Sequence, residues 1–212
     1  MMETWIASAL LASALAMFAV RKIAGCIAVL SFQSALLSAV ALKMWKATGD
    51  DHLLWLSLLT LAVKTVAIPL LFLRTIRAVG ADPDAKSRLS RPVSAALALL
   101  IATAGHVAAG AFHLPAAGGG GGYLPVAVAL VLLGMFLIID QTKMIMQGIG
   151  LVVTENGLFL IAGSIGGGMP LIVELAALFD LTVSVALIGS LALRIYEVFE
   201  SLDTDKMNRL RG

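Results

Sequence analysis

Long apolar stretches alternate with short polar segments along the whole chain. Seven of the stretches approach or reach the ~20 residues that a helix needs to cross the hydrocarbon core of a bilayer. Because backbone polar groups in lipid must be satisfied within their own segment, each stretch predicts a transmembrane α-helix. The predicted helices cover residues 4–20, 23–42, 53–73, 92–112, 124–139, 144–164 and 169–193. We therefore expect an all-α, multi-pass integral membrane protein.

The lysines and arginines predict the orientation of these helices. With seven spans and the N-terminus outside, twelve of the fifteen basic residues fall on the cytoplasmic side and only Lys43 and Lys46 fall outside. The remaining one, Lys64, lies within the third predicted helix. Cytoplasmic loops carry an excess of Lys and Arg, so this partition predicts an external N-terminus and a cytoplasmic C-terminus.

Composition supports the membrane assignment and removes several classes of function. Apolar residues form 60% of the 212-residue chain and charged residues 13%, a balance that a soluble domain could not bury. One cysteine and three histidines are too few for a zinc or iron–sulfur site, so we expect no cofactor, no metal and no catalytic site. The net charge of +2 gives no indication of a nucleic-acid partner.

The two longest connectors divide the chain. Residues 75–91 are basic and predict a solvated cytoplasmic connector, whereas 113–123 contain five consecutive glycines and predict a flexible external loop. We expect a four-helix part at 1–112, the glycine-rich loop at 113–123, a three-helix part at 124–198 and a cytoplasmic tail at 199–212. When the first half of the chain is aligned with the second half at a shift of 122 residues, Gln33 aligns with Glu155. That match is mostly apolar on apolar, which leaves an internal duplication open.

Ionisable residues inside the predicted helices are the candidates for function. Lys64, Glu155 and Asp180 each lie eleven residues into their predicted helix, whereas Glu174 is shallower. Eleven residues span ~16 Å, about half of the hydrocarbon core. A charge there costs ~2.5–3.5 kcal/mol, so Lys64 requires an acidic partner. Two interpretations stay open: the carboxylates hold helices together, or they exchange protons as part of a relay.

Spacing adds a polar face to the sixth predicted helix. Gln141, Gly148 and Glu155 are seven residues apart and therefore predict one small, polar face. Such a face suits close helix packing or the entry of water. Gln33 and Asn156 are further polar candidates beside the charged residues.

A set of motifs along the chain points to a known family. They are Glu155-Asn156-Gly157, the Gly-Met-Pro-Leu at 168–171, Val173-Glu174, Asp180, and upstream Gln33 and Lys64 followed by Pro69. Their order resembles the hydrogenase-4 component E family, membrane subunits of energy-conserving nickel–iron hydrogenases and formate hydrogenlyase-type complexes. The predicted helices 124–193 also look like the K-type subunit of respiratory complex I, in which two mid-membrane glutamates join a lateral charged axis. By position Glu155 matches the first of them, and the second falls near Glu174 or Asp180.

The resemblance implies a non-redox membrane subunit of a complex I-like hydrogenase or dehydrogenase in a bacterial or archaeal cytoplasmic membrane. Its implied partners are an antiporter-like subunit, the anchor of the peripheral arm and the lipid bilayer. Two alternatives remain: a subunit of a multisubunit sodium/proton antiporter, or a purely structural spacer. The attached redox module and the choice of proton or sodium stay open.

Overall fold

The computed structural model describes residues 2–79, 84–110 and 121–164, together with Val185 and Gly189. This part of the chain is helical, and its only β contacts are the isolated bridges Lys22–Asp84 and Ser87–Gln141. The elements are α1 (Met2–Ala19), α2 (Ile23–Thr48), α3 (Asp51–Thr60), a π-helical segment (Leu61–Ala67), α4 (Ile68–Val79), α5 (Arg91–Gly110), a 3-10 turn (Gly121–Tyr123), α6 (Leu124–Asp140) and α7 (Met144–Ser164).

Four helices in the described residues are long and apolar enough to cross a membrane. They are Ile23–Thr48, Asp51–Ala78, Arg91–Gly110 and Met144–Ser164. Two shorter apolar helices, Glu3–Ala19 and Leu124–Asp140, lie at the positions of the first and fifth predicted helices. The predicted helix 169–193 lies outside the described residues except for Val185 and Gly189. The protein is thus a helical integral membrane protein.

The turn between α2 and α3 lies later in the chain than the apolar pattern predicts. The second predicted helix stops at residue 42, but α2 continues to Thr48 and places Lys43 and Lys46 in its final turns. Gly49 then takes the left-handed conformation (φ 72°), which favours glycine and ends the helix. The Asp50 side chain accepts a hydrogen bond from the His52 N–H and so caps the start of α3.

Pro69 accounts for the π-helical segment between α3 and α4. Proline has no N–H to donate, and in an α-helical register its ring would clash with the carbonyl of Thr65. Just before the proline, the Ile68 N–H bonds to the carbonyl of Val63, five residues back. The helix therefore continues past Pro69 by accommodating one extra residue in a turn. Lys64 lies in the middle of this widened segment.

Glycines let α6 and α7 approach each other closely. A Cβ atom at Gly157 would lie 2.7 Å from the backbone nitrogen of Val131. A Cβ atom at Gly150 would lie 2.9 Å from the carbonyl oxygen of Gly134. Small residues at such contacts are typical of helix pairs in membranes. This packing fixes which face of α7 is turned away from α6.

Contacts between the N-terminal and C-terminal helices make one bundle. α2 packs against α1, α3, α4 and α7, while α6 packs against α1, α5 and α7. Phe18 of α1 and Phe136 of α6 stack with their ring centroids 5.3 Å apart. Val185 is buried in the same core, and a Cβ atom at Gly189 would lie 3.0 Å from the Thr75 hydroxyl of α4.

The two ends of the bundle differ in chemistry. At the end where α1 begins and α2 finishes, Glu3 and Lys43 form an ion pair and Trp45 donates to Asp51. Tryptophan is enriched at membrane–water interfaces, and all three tryptophans of the chain lie near this end. The opposite end carries the basic residues Arg21, Lys22, Arg74, Arg77, Lys86, Arg88, Arg91 and Lys143.

Candidate functional site

A buried ion pair joins the π-helical segment to α7 in the middle of the bundle. The Lys64 ammonium lies 2.8 Å from Oε1 of Glu155. The Lys64 side chain is 1% exposed and that of Glu155 19% exposed. Each residue lies near the middle of its long apolar helix, Asp51–Ala78 and Met144–Ser164 respectively. Lys64 therefore has the acidic partner that its depth requires.

The glycine face of α7 determines where Glu155 points. Gly150 and Gly157 face α6, and Glu155 is two residues from Gly157, about 200° around the helix. Glu155 is thus turned away from α6. Phe159, one turn further along, shares its face, and the Lys64 ammonium lies 5.8 Å from the centroid of that ring. The Phe159 ring therefore lies beside the ion pair.

Two buried amides extend the polar site toward the N-terminal helices. Lys64 donates to Oδ1 of Asn156 at 3.2 Å, and Nδ2 of Asn156 donates to Oε1 of Gln33 at 3.2 Å. Nε2 of Gln33 in turn donates to Oγ of Ser13 at 3.1 Å. Asn156 and Gln33 are both fully buried. A continuous hydrogen-bonded chain therefore runs from the π-helical segment through α7 and α2 to α1.

The structure brings four of the seven sequence-predicted site residues together: Lys64, Glu155, Asn156 and Gln33. Asp180 and Glu174 lie outside the described residues. Within the described residues, these four side chains supply one cation, one carboxylate and two amides. The site can hold a charge pair at low dielectric, where neutralising either member strongly affects the other. Within the described ranges, no group of three or more His, Cys, Asp or Glu side chains is arranged to hold a metal ion.

The prediction that Gln141 shares a face of α7 with Gly148 and Glu155 is wrong. α6 ends at Asp140, Gln141 is extended (φ −87°, ψ 137°), and α7 begins only at Met144. Because the intervening residues are not helical, the seven-residue spacing does not relate Gln141 to Glu155. Gln141 instead donates to the Asp140 carboxylate at 3.3 Å.

Asp140 is a second buried carboxylate, and it is not among the site residues predicted from the sequence. It is 2% exposed, and its Oδ2 accepts hydrogen bonds of 2.6 Å from the hydroxyls of Ser87 and Ser94. The Arg88 N–H donates to the Asp140 carbonyl at 2.7 Å. The connector before α5 is thus fastened to the turn between α6 and α7 by these hydrogen bonds, while most of its described side chains are exposed. The signal available in the sequence was a carboxylate ending a long apolar run.

The opposite end carries a smaller polar group. The Glu3–Lys43 ion pair is partly exposed, with the Lys43 side chain 29% and that of Glu3 45% accessible. Tyr123 lies beside this pair, at the start of α6. Burial raises the pKa of the Tyr123 hydroxyl above its ordinary value, and the neighbouring Lys43 opposes that rise. This group links the starts of α1 and α6 to the end of α2.

Comparisons with known proteins agree with this architecture. A family model described as NADH-ubiquinone/plastoquinone oxidoreductase chain 4L matches residues 122–212. The uncharacterized protein Rv0085 of Mycobacterium tuberculosis is 31% identical over 195 residues, which cover 90% of this chain and 87% of that protein. Hydrogenase-4 component E of Escherichia coli (strain K12) is 26% identical over 179 residues, 84% of this chain and 78% of its own. No solved structure matches at a significant level.

The apolar helices, the match to the chain 4L model and the similarity to hydrogenase-4 component E support a membrane subunit of a complex I-like respiratory or hydrogenase complex. The chain belongs to the family of Rv0085 and is similar to hydrogenase-4 component E, and its residues 122–212 match the chain 4L family model. The resemblance predicted from the sequence is confirmed. A subunit of such a complex has other subunits as its partners.

Proposed function

We propose that this chain is a non-redox subunit of an energy-conserving hydrogenase or dehydrogenase and that its Lys64–Glu155 pair takes part in coupling electron transfer to ion translocation. The 2.8 Å ion pair at mid-helix is the observation that supports this role. The subunit would lie between an antiporter-like subunit and the anchor of the peripheral arm, in a bacterial or archaeal cytoplasmic membrane.

The physical basis is the strength of the pair. Two unit charges 2.8 Å apart attract by on the order of 6 kcal/mol at an effective dielectric constant of 20. A charge that arrives or disappears in a neighbouring subunit changes this balance. Glu155 then binds or releases a proton while Lys64 keeps or loses its counter-charge. A pair of this kind transmits a change of charge laterally between subunits without carrying any redox cofactor.

Further carboxylates and the complete topology belong to the same proposal. We propose that Asp180 or Glu174 continues the charged axis. Asp180 is at mid-depth of the predicted helix 169–193 and is the stronger candidate on that ground. We also propose seven spans with the N-terminus outside and the tail 199–212 in the cytoplasm. The tryptophans at one end and the basic residues at the other support this orientation.

Glu155→Gln tests the coupling role because it keeps the size and most of the hydrogen bonding while removing the charge. The assembled complex should retain its redox activity with an artificial acceptor and lose ion translocation in sealed vesicles. Glu3→Gln is the matched control, since Glu3 also pairs with a lysine but lies at the partly exposed end of the bundle. Normal translocation by Glu155→Gln would leave Glu155 with a structural role only.

Co-purification separates the proposed complex from the two alternatives. A nickel–iron large subunit or a formate dehydrogenase module recovered with the tagged chain supports the proposal. Recovery with antiporter subunits and no redox module would instead identify a sodium/proton antiporter. A chain whose Glu155, Asp180 and Glu174 variants all translocate normally would be a structural spacer.

A further inference from the structure

The hydrogen bonds that connect Lys64 with α1 are all donated in the same direction, from Lys64 toward α1. The carbonyl of Leu10 can only accept, and it receives the Ser13 hydroxyl at 2.7 Å. Because the Ser13 proton is committed there, its oxygen accepts from Nε2 of Gln33, which also lies 3.4 Å from the Leu10 carbonyl. Gln33 must then turn its oxygen toward Nδ2 of Asn156. Asn156 is left with its own oxygen facing Lys64.

We propose that Ser13 and Gln33 are positioning residues that lock the amide of Asn156 with its oxygen toward the Lys64 ammonium. This inference rests on the proposed coupling role of the Lys64–Glu155 pair. A reversed Asn156 amide would turn an N–H group toward an ammonium that has only donors. Both amides are fully buried, so a reversal would also leave their polar atoms without partners.

The lock gives Lys64 a second, neutral acceptor beside Glu155. When Glu155 is neutralised by a proton, the ammonium keeps the hydrogen bond to Asn156 instead of standing alone in an apolar interior. Among the described residues, Glu155 is the charged group that pairs with Lys64, and Phe159 supplies a ring face. We call this chain of hydrogen bonds from Lys64 through Asn156 and Gln33 to Ser13 the hydrogen-bond relay. The relay makes the Lys64–Glu155 ion pair easier to open and close, although Ser13 and Gln33 do not contact the pair.

Gln33→Leu tests the relay in the whole complex. Leucine has a similar volume but removes both the acceptor for Asn156 and the donor to Ser13. We expect the number of ions translocated per electron to fall roughly threefold to tenfold, the effect of losing one or two buried hydrogen bonds. Ser34→Ala is the control, because Ser34 is a buried serine next to Gln33 whose hydroxyl has no hydrogen-bond partner among the described residues. It should translocate like the unmodified protein.

A double-mutant cycle separates positioning from packing. If Gln33 acts through Asn156, then Gln33→Leu should cause no further loss in an Asn156→Leu background. Independent, additive losses would show that Gln33 only fills space and would overturn the relay. Should Gln33→Leu fail to assemble, Ser13→Ala should still lower translocation per electron by roughly twofold. Ser13→Ala and Ser34→Ala that behave alike would also overturn it.

The two proposals can fail separately. If Glu155→Gln abolishes translocation while Gln33→Leu translocates normally, the relay is refuted and the coupling role stands. If Glu155→Gln translocates normally, the coupling role is refuted, and so is the relay, because it depends on that role.

Discussion

Lys64→Met removes the buried cation and replaces lysine with an unbranched apolar side chain. Removing one member of a buried ion pair destabilises a protein by about 3–5 kcal/mol, since the other charge stays in a poorly solvated place. The Glu155 side chain is 19% exposed and can take up a proton, so we expect the lower figure, about 3 kcal/mol. That corresponds to roughly a hundredfold change in an equilibrium constant.

Lys43→Met is the matched control for this change. Lys43 also pairs with a glutamate, but the two side chains are 29% and 45% exposed. An exposed pair contributes about 0–1 kcal/mol. We therefore expect Lys43→Met complexes to be recovered in nearly normal amounts, whereas Lys64→Met should reduce both the amount of assembled complex and its melting temperature. Recovery from membranes by size-exclusion chromatography and melting in detergent measure the two quantities.

The double variant Lys64→Met/Glu155→Gln separates stability from coupling. It leaves no uncompensated charge, so assembly should recover toward the normal level. Ion translocation should stay lost, because neither member of the pair can change charge. Equal and negligible effects of Lys64→Met and Lys43→Met on assembly and translocation would refute the reasoning about the buried pair.

Three further predictions concern other parts of the bundle. Asp140→Ala should lower stability by about 3 kcal/mol, measured by melting in detergent, because the hydroxyls of the partly buried Ser87 and the buried Ser94 lose a charged acceptor. Gly157→Val should force α6 and α7 apart at Val131 and reduce assembly, measured by recovery of the complex. A reporter in the glycine loop 118–122 should read external and one after Gly212 cytoplasmic; a cytoplasmic signal from the loop would contradict the seven-span topology.

Much of the helical organisation was predictable from the length of the apolar stretches. α7 begins where the pattern predicts and is helical through Ser164, whereas α2 extends beyond its predicted end because lysines and polar residues can continue a helix at the membrane surface. Gly49 was the better signal for the end of α2. Pro69 was visible in the sequence, but its consequence, a π-helical turn around Lys64, depends on how the carbonyl of Thr65 is relieved of the clash.

The site was predictable in type but not in its pairing. The cost of a charge at mid-depth required a partner for Lys64, yet sequence alone left open which carboxylate of this chain or of an adjoining subunit pairs with it. The observed partner depends on the glycine face of α7, which sets the rotation of the helix. Asp140 was missed because its hydroxyl donors come from Ser87 and other residues far away in the chain.

Infrared difference spectroscopy during turnover tests the central claim most directly, because a protonated carboxyl group absorbs apart from a carboxylate. We expect the complex to show a carboxyl band that appears or disappears as electrons flow, and Glu155→Gln to remove that band while Glu3→Gln keeps it. A difference spectrum that is the same in the unmodified complex and in Glu155→Gln would contradict the claim that Glu155 changes its charge state during coupling.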